Sequence, residues 1–255
     1  MLMSLRRSGL VGSAIAVAIA FAILMTLGTW QMQRKAWKEA LLAQISERSH
    51  AVPVPLQDVT GGAAGSDPEY THASVTGRFL HDKEQFLWAP DASQGLGYHV
   101  YTPLETAPGQ IVWINRGYVP HERKEPGTRG DGQVGGEVTV TGLVRKPITD
   151  PGTFTPDNEA YRHMFYWRSL TEMHQAAFGS QGPKAAPYFL DADAEPANPG
   201  GLPQGGVTLI KLPNRHLEYA ITWYGLAGTL LAVYAAFVLA RVRRGRNGSE
   251  HPDIR

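Results

Sequence analysis

Two long apolar stretches stand near the two ends of this 255-residue chain. Residues 9–30 and residues 219–240 are 22 positions long each and contain no Asp, Glu, Lys, Arg or His. At about 1.5 Å per residue, a helix of that length spans roughly 33 Å, which is enough to cross a hydrocarbon core about 30 Å thick. Each stretch has Trp or Tyr near one end, as interfacial anchors do. The pattern therefore predicts two transmembrane helices.

Arginines stand beside each apolar stretch, at the end that is nearer to the chain terminus. Arg6 and Arg7 precede the first, and the second is followed by Arg241, Arg243, Arg244 and Arg246. The positive-inside rule then places both termini in the cytoplasm, or in the matrix if the membrane is mitochondrial. We therefore expect a cytoplasmic tail over 1–8, a helix over 9–30, a periplasmic α+β domain over 31–218, a helix over 219–240 and a basic cytoplasmic tail over 241–255.

The segment after the first span has the pattern of an amphipathic helix. Residues 31–48 contain no Gly or Pro. Apolar or uncharged side chains recur at steps of three and four, at Trp30, Gln33, Trp37, Leu41 and Ile45. This spacing predicts that the first helix continues into the periplasmic domain, with Arg34 at the level of the lipid headgroups. Pro53 and Pro55 are expected to end it.

The rest of the central segment consists of short β-rich runs between Gly and Pro turns. The predicted strands cover residues 70–80, 85–89, 98–104, 111–120, 137–145, 187–191 and 207–212. One helix is predicted over 169–179, with Ser169 as its N-cap and Gly179 as its stop. The predicted fold class is an α+β membrane protein in which two transmembrane helices flank a β-rich extramembrane domain, either an antiparallel sheet or a small barrel.

Composition narrows the possible chemistry. The chain has no cysteine, which excludes disulfides, thiolate metal sites and a cysteine nucleophile. It contains no P-loop, no G-x-S-x-G elbow and no H-E-x-x-H pair. Residues 31–218 hold 17 basic and 21 acidic residues, a net charge of −4 that disfavours nucleic acid as a partner. Membrane lipid is the expected neighbour, and no enzyme signature is present.

His216 differs from the other eight histidines because it stands at the edge of an apolar span. If the helix begins near Asn214, then His216, Tyr219 and Trp223 share one face, together with the small Ala220. An imidazole at a membrane boundary is costly unless it is paired or coordinates a metal, and a histidine beside a flat Trp suits haem ligation. Arg215, Lys211 and Arg34 could neutralise haem propionates at that depth.

The residues alone leave a second interpretation open for His216. Histidine, tyrosine and tryptophan are common at the ends of membrane helices, where they act as interfacial anchors. On physical grounds alone this anchor role is the better of the two.

Several motifs resemble a known family. They are LGTWQMQRKAWKEALLAQI at 27–45, VTGRF at 75–79, GYHVYTPL at 97–104, VWINRGYVP at 112–120, VTVTGLVR at 138–145 and PNRHLEYAITWYGLA at 213–227. In this order, framing two spans, they resemble the Surfeit locus protein 1 family of cytochrome c oxidase assembly factors, in a bacterial form. The chain departs from the family pattern at Tyr118, where tryptophan is usual, and at Arg215 and Glu218, which add two charges.

The resemblance implies a role in maturing haem–copper oxidase that is not enzymatic. It implies that haem a is held transiently for insertion into the catalytic subunit of cytochrome c oxidase, with haem a synthase considered as a second partner. His216 maps onto the proposed iron ligand, and Trp223 onto the family's tryptophan seven residues later. The resemblance therefore favours His216 as a metal ligand in a haem site with Trp223, Tyr219, Arg215 and Arg34, and it implies the bacterial inner membrane.

Three other functions compete with this one. The main alternative is a membrane-anchored scaffold that binds oxidase subunits through its β domain without binding haem. A haem-modifying enzyme is disfavoured because no catalytic cluster is found. Copper delivery is disfavoured because the chain has no cysteine and no methionine cluster to bind copper.

Overall fold

The computed structural model describes residues 2–61, 67–107, 109–208 and 214–247. They fall into two compact units. The first consists of the two ends of the chain, Met1–Ala43 and Lys211–Arg255, and the second is the central segment Gln44–Ile210.

Two long helices account for the first unit. Helix α1 covers Leu2–Ser49 and helix α4 covers His216–Asn247. As predicted, α1 runs without a break from the apolar stretch into the amphipathic segment and ends before the two prolines. Helix α4 begins three residues before the predicted span and ends seven residues after it.

The apolar side chains of these helices are largely exposed on the protein. A row on α1 at steps of four, formed by Val11, Ile15, Ile19 and Ile23, is between 54% and 58% exposed. Water would solvate such a row unfavourably, whereas lipid tails would cover it at no cost. Both helices are long and apolar enough to cross a membrane, which is compatible with a two-pass membrane protein.

The second unit is built on a closed five-stranded barrel. Its described elements are β1 Val54–Pro55, α2 Leu56–Gly61, β2 His72–Phe79, β3 Gln85–Trp88, β4 Gly97–Glu105, β5 Ile111–Pro120, β6 Glu137–Arg145, β7 Met164–Phe165, α3 Leu170–Phe178 and β8 Ala185–Ala192. Strands β2, β6, β8, β5 and β4 pair in that order, and β4 returns to β2. The return pairing joins Arg78 to Glu105 and Phe79 to Leu104. This closure confirms the predicted fold class.

A packed apolar core fills the barrel. Leu104, Ile114, Val144 and Leu190 are fully buried there, and Val75 packs against them. Gly77 lies where β2 changes partner, and a Cβ atom at this position would overlap the carbonyl oxygen of Glu105. A glycine is therefore required for β2 to approach β4 closely enough to close the barrel.

The structure adds one pairing that the predicted strands did not specify and lacks part of one predicted strand. Strand β8 pairs with β5 in parallel. The predicted strand over 207–212 is absent at Val207 and Thr208, and its remaining residues lie outside the described ranges. The predicted helix is confirmed as α3, and the Ser169 side chain accepts a hydrogen bond from the Glu172 backbone at its start.

A buried charge cluster lies at the wall of the barrel. Glu84 forms ion pairs with Arg129 and Arg116, and all three side chains are at most 2% exposed. Burial alone would raise the pKa of Glu84, but His81, Arg129 and Arg116 outweigh it and lower that pKa to about 2. Two guanidinium groups therefore depend on one carboxylate in a water-poor site.

Replacing that carboxylate should destabilise the second unit. The change Glu84→Gln leaves two buried guanidinium groups without their counter-charge, which we expect to lower the free energy of unfolding by about 3–5 kcal/mol. Denaturant unfolding of the full chain in detergent, followed by tryptophan fluorescence, measures this loss. Glu122→Gln is the matched control because Glu122 is exposed. Equal unfolding midpoints for the two variants would contradict a structural role for the cluster.

His72 should make the stability of this unit depend on pH. Its Nδ1 lies 2.7 Å from the carbonyl oxygen of Ala51, and its Nε2 lies 2.8 Å from Asp193 Oδ2. Both partners can only accept a hydrogen bond, so the doubly protonated imidazolium satisfies both. Burial lowers the pKa of His72, but the two hydrogen bonds outweigh it and raise the pKa above its usual value.

The sign of this dependence follows from the raised pKa. The stabilisation is complete below the unfolded-state pKa of about 6.5 and is lost as the pH rises through the folded-state value. We expect unfolding midpoints to fall between pH 6 and pH 8, and His72→Gln to remove that part of the slope. An unchanged slope in the variant would show that another group is responsible.

Candidate functional site

Helices α1 and α4 pack against each other in antiparallel directions. Side-chain contacts join Ser13 to Tyr234 at 3.3 Å near one end and Thr29 to Tyr224 at 3.3 Å near the other. The hydroxyl of Tyr234 also donates to the backbone carbonyl of Leu10 at 3.3 Å. The contact therefore extends over about five helical turns.

Small buried residues lie on both helices of the pair. Ala220 and Ala227 on α4 are both 1% exposed. Gly28 on α1 is buried against the ring of Tyr224, and a Cβ atom on Gly28 would overlap that ring. Small residues at such positions are typical of helix pairs in membranes, where close van der Waals packing replaces the hydrophobic effect as the driving force.

His216 is the first residue of α4, and its side chain is half-buried. Its Nδ1 lies 2.7 Å from Oε1 of Gln31 on α1. Among the residues that the structure describes, the other ring nitrogen, Nε2, has no hydrogen-bond partner. Within the described part of the chain, the histidine is therefore held through Nδ1, and Nε2 is left uncommitted.

The residues that were expected to share a face with His216 separate into two groups. Trp223 follows His216 by seven residues, so it lies on the same side of α4 and is half-buried. Tyr219 is 52% exposed. Ala220, which was expected on the same face, is 1% exposed and therefore buried.

Two of the three expected cations have described surroundings. The carboxylate of Glu218 accepts hydrogen bonds from Arg215 Nε at 3.0 Å and from Arg215 Nη2 at 2.9 Å. Both side chains are more than 60% exposed, so solvent and salt screen the attraction within this pair. The guanidinium of Arg34 lies 4.0 Å from the centre of the Trp37 ring. Lys211 lies outside the described residues.

An apolar groove runs along the helix pair farther from His216. It has a volume of about 480 Å³ and is lined by Ala20, Ile23, Leu24, Leu226, Thr229 and Leu230. Lipid tails are as apolar as these side chains, so the groove alone does not identify a ligand. The structure adds no metal cluster either, because no group of three or more His, Asp or Glu within the described ranges could hold an ion.

Sequence reasoning missed Gln31 as part of this site. The motif that carries it was noted, but a glutamine in an amphipathic helix has the composition of a solvent-exposed face. Only the pairing of α1 with α4 places it against His216, which is 185 positions away in the chain.

Comparison with known proteins assigns the chain to a family. A sequence model of the SURF1 family matches residues 18–228, a range that contains most of the apolar part of α1, the whole barrel and the start of α4. The chain belongs to the SURF1 family.

Curated relatives support this assignment over most of their length. A SURF1-like protein of Monosiga brevicollis is 34% identical over 263 residues, covering 99% of this chain and 95% of the relative. Surfeit locus protein 1 of Mus musculus is 37% identical over 234 residues, covering 83% and 71%. The human Surfeit locus protein 1 is 36% identical over 223 residues, covering 79% and 69%.

The SURF1-family match includes both members of the His216–Gln31 pair, because residues 31 and 216 lie inside the matched range. The bacterial form that the motifs suggested is finer than these comparisons support, since the relatives named here are eukaryotic.

The close approach at Gly28 can be tested directly. Gly28→Val introduces a side chain into the space of the Tyr224 ring, so we expect the two helices to separate at this point. The chain has no native cysteine, and spin labels on cysteines introduced at the exposed Ile15 and Val233 can report their distance. The expected result is a longer and broader distance distribution.

The matched control for this variant is Gly228→Val on α4, where nothing lies within 4 Å of an added Cβ atom. It should leave the distance unchanged. A narrow, unchanged distribution in Gly28→Val would contradict the described packing.

Proposed function

We propose that this SURF1-family chain is an assembly factor for haem–copper cytochrome c oxidase that holds haem a through His216 before insertion into the catalytic subunit. The observation that carries the proposal is the uncommitted Nε2 of a half-buried histidine at the first turn of a membrane helix. Such a nitrogen is a suitable axial ligand for haem iron.

The environment of His216 fits this role. Histidines that bind metals commonly donate their second ring nitrogen to an oxygen acceptor, which orients the ring and raises its basicity. Gln31 supplies an acceptor of this kind at 2.7 Å. A bound haem would supply an open iron coordination position, and the flat ring of Trp223 on the same side of α4 would contact the porphyrin.

The neighbouring cations fit the haem propionates. Within the described residues Arg215 is held by an exposed ion pair with Glu218, so it can exchange that carboxylate for a propionate at small cost. Arg34 follows Gln31 by three residues and lies on the same region of α1, where its guanidinium is exposed. Tyr219 provides a further exposed ring and a hydroxyl beside Arg215.

A chaperone of this kind must release its cargo. One axial histidine at the edge of a membrane helix binds haem less firmly than an enclosed site with two histidines would. Transfer to the oxidase catalytic subunit then requires the exchange of one iron ligand and the exposed propionate contacts. The role involves no chemical conversion of haem, so the proposed protein is an assembly factor and not an enzyme, with haem a synthase as the source of its cargo.

The proposed site lies on the side of an inner membrane that faces away from the two termini, and the motif resemblance implies the bacterial membrane. The side follows from the arginines that flank the two apolar stretches, which predict termini in the cytoplasm or the matrix. Because the relatives are eukaryotic, the choice between a bacterial and a mitochondrial inner membrane stays a prediction from the sequence.

The alternative function is a membrane-anchored scaffold that binds oxidase subunits without binding haem. It is favoured by large apolar side chains exposed on the second unit, among them Phe154 at 98%, Tyr161 at 79% and Leu96 at 61%. Exposed aromatic residues of this size are typical of protein interfaces.

The two functions can be separated by purifying the full chain from cells that make haem a. We expect the wild type to carry haem a and His216→Ala to lose at least nine-tenths of it, as measured by the pyridine haemochrome spectrum. His50→Ala is the matched control, because His50 also stands at a helix end and is exposed. It should retain haem.

Two outcomes would overturn the haem proposal. One is a His216→Ala variant that keeps its haem and supports oxidase assembly. The other is a wild-type protein that never carries haem but co-purifies with oxidase subunits, which would establish the scaffold function.

A further inference from the structure

The hydrogen bond between Gln31 and His216 determines which ring nitrogen carries the proton. A side-chain amide oxygen can only accept a hydrogen bond, and Oε1 of Gln31 faces Nδ1 of His216 at 2.7 Å. In the neutral imidazole, Nδ1 must then carry the proton, and Nε2 keeps its lone pair. The reverse amide orientation would place the proton on Nε2, where it would block binding to a metal.

This tautomer is the less common one for a histidine in water, so the site must impose it. To stabilise this tautomer, the side chain of Gln31 on α1 must stay next to His216 on α4. Three residues earlier, Gly28 packs against the Tyr224 ring, and the hydroxyl groups of Thr29 and Tyr224 meet at 3.3 Å. Buried Ala220 lies one turn after His216. The contacts at Gly28 and Thr29 therefore hold the amide next to the imidazole.

We propose that Gln31 is the positioning residue of His216: its side-chain oxygen holds the ring in the Nδ1–H tautomer and leaves Nε2 as the metal-binding atom. The use of Nε2 for haem rests on the function proposed above, whereas the tautomer does not depend on it. Gln31 acts only through the histidine and has no contact of its own with the ligand. Loss of such a supporting partner typically weakens metal binding about 10–100-fold.

The first test needs no haem. The full chain is labelled with ¹⁵N-histidine and held in lipid nanodiscs. At about pH 8 an ordinary histidine is neutral. NMR then distinguishes the protonated from the unprotonated ring nitrogen. The His216 signals are assigned by their absence from His216→Ala. We expect the Nδ1–H form in the wild type and a shift toward the Nε2–H form in Gln31→Met, which keeps the side-chain length but removes the acceptor oxygen.

The chain offers two matched comparisons. Gln33→Met changes an exposed glutamine two positions away on the same helix and should leave the His216 tautomer unchanged. Gln31→Glu keeps an acceptor oxygen and should retain the Nδ1–H form. This rescue separates the loss of the acceptor from a general disturbance of the helix pair. A wild-type Nε2–H form, or an unchanged tautomer in Gln31→Met, would overturn the proposal.

The second test measures binding of haem a to the same variants by absorbance titration. Gln31→Met should weaken binding about 10–100-fold, and Gln33→Met and Gln31→Glu should bind within about threefold of the wild type. If His216→Ala loses haem while Gln31→Met binds normally, the positioning role is wrong and the haem function stands. If His216→Ala keeps its haem, the haem function is wrong, and the NMR result alone decides the role of Gln31.

Discussion

The packing of the Tyr224 ring against Gly28 joins the two long helices beside the candidate site, and the site depends on that contact. A side chain on Gly28 would occupy the space of the Tyr224 ring. On the same helix pair Ala220 and Ala227 are buried, and Gln31 Oε1 lies 2.7 Å from Nδ1 of His216. The packing at Gly28 therefore supports the contact between Gln31 and His216, three residues farther along α1. That contact determines which ring nitrogen of His216 carries the proton.

The barrel is stabilised by different physics. Its core is apolar and closed, whereas the ion pairs of Glu84 lie buried beside it. Removing water from these charges is costly, and the cost is met because one carboxylate faces two guanidinium groups and further donors. The burial also lowers the pKa of Arg116 to about 10, since desolvation outweighs the attraction of Glu84. Glu84 directly precedes β3 and Arg116 lies on β5, so the cluster links these two strands.

Much of the fold could be predicted from local patterns. Helix α1 follows from an apolar run that continues into an amphipathic one, and six strands follow from short β-rich runs between turn residues. The parallel pairing of β5 with β8 could not be predicted, because a strand's own residues do not specify its neighbour. The short elements β1, α2 and β7 were missed for a similar reason, since two to six residues carry too little pattern to be recognised.

The candidate site divides in the same way. His216 was found because a histidine beside an apolar span is conspicuous, and the family resemblance gave it a role. Gln31 was missed because its importance arises only from tertiary packing. The burial of Ala220 could not be predicted, because helical spacing gives the face of a residue but not what covers that face. Local sequence thus identifies a reactive group more readily than the neighbours that tune it.

The central claim is that a histidine nitrogen of this chain binds haem iron. Pulsed electron paramagnetic resonance of the haem-loaded full chain, labelled with ¹⁵N-histidine, tests it most directly. The account predicts hyperfine coupling between the ferric iron and a histidine ¹⁵N nucleus. It also predicts that this ¹⁵N coupling is absent from His216→Gly. When unlabelled imidazole is added to that variant, a ¹⁴N coupling should appear in its place. Haem that shows the same ¹⁵N coupling without His216, or no histidine coupling in the wild type, would contradict it.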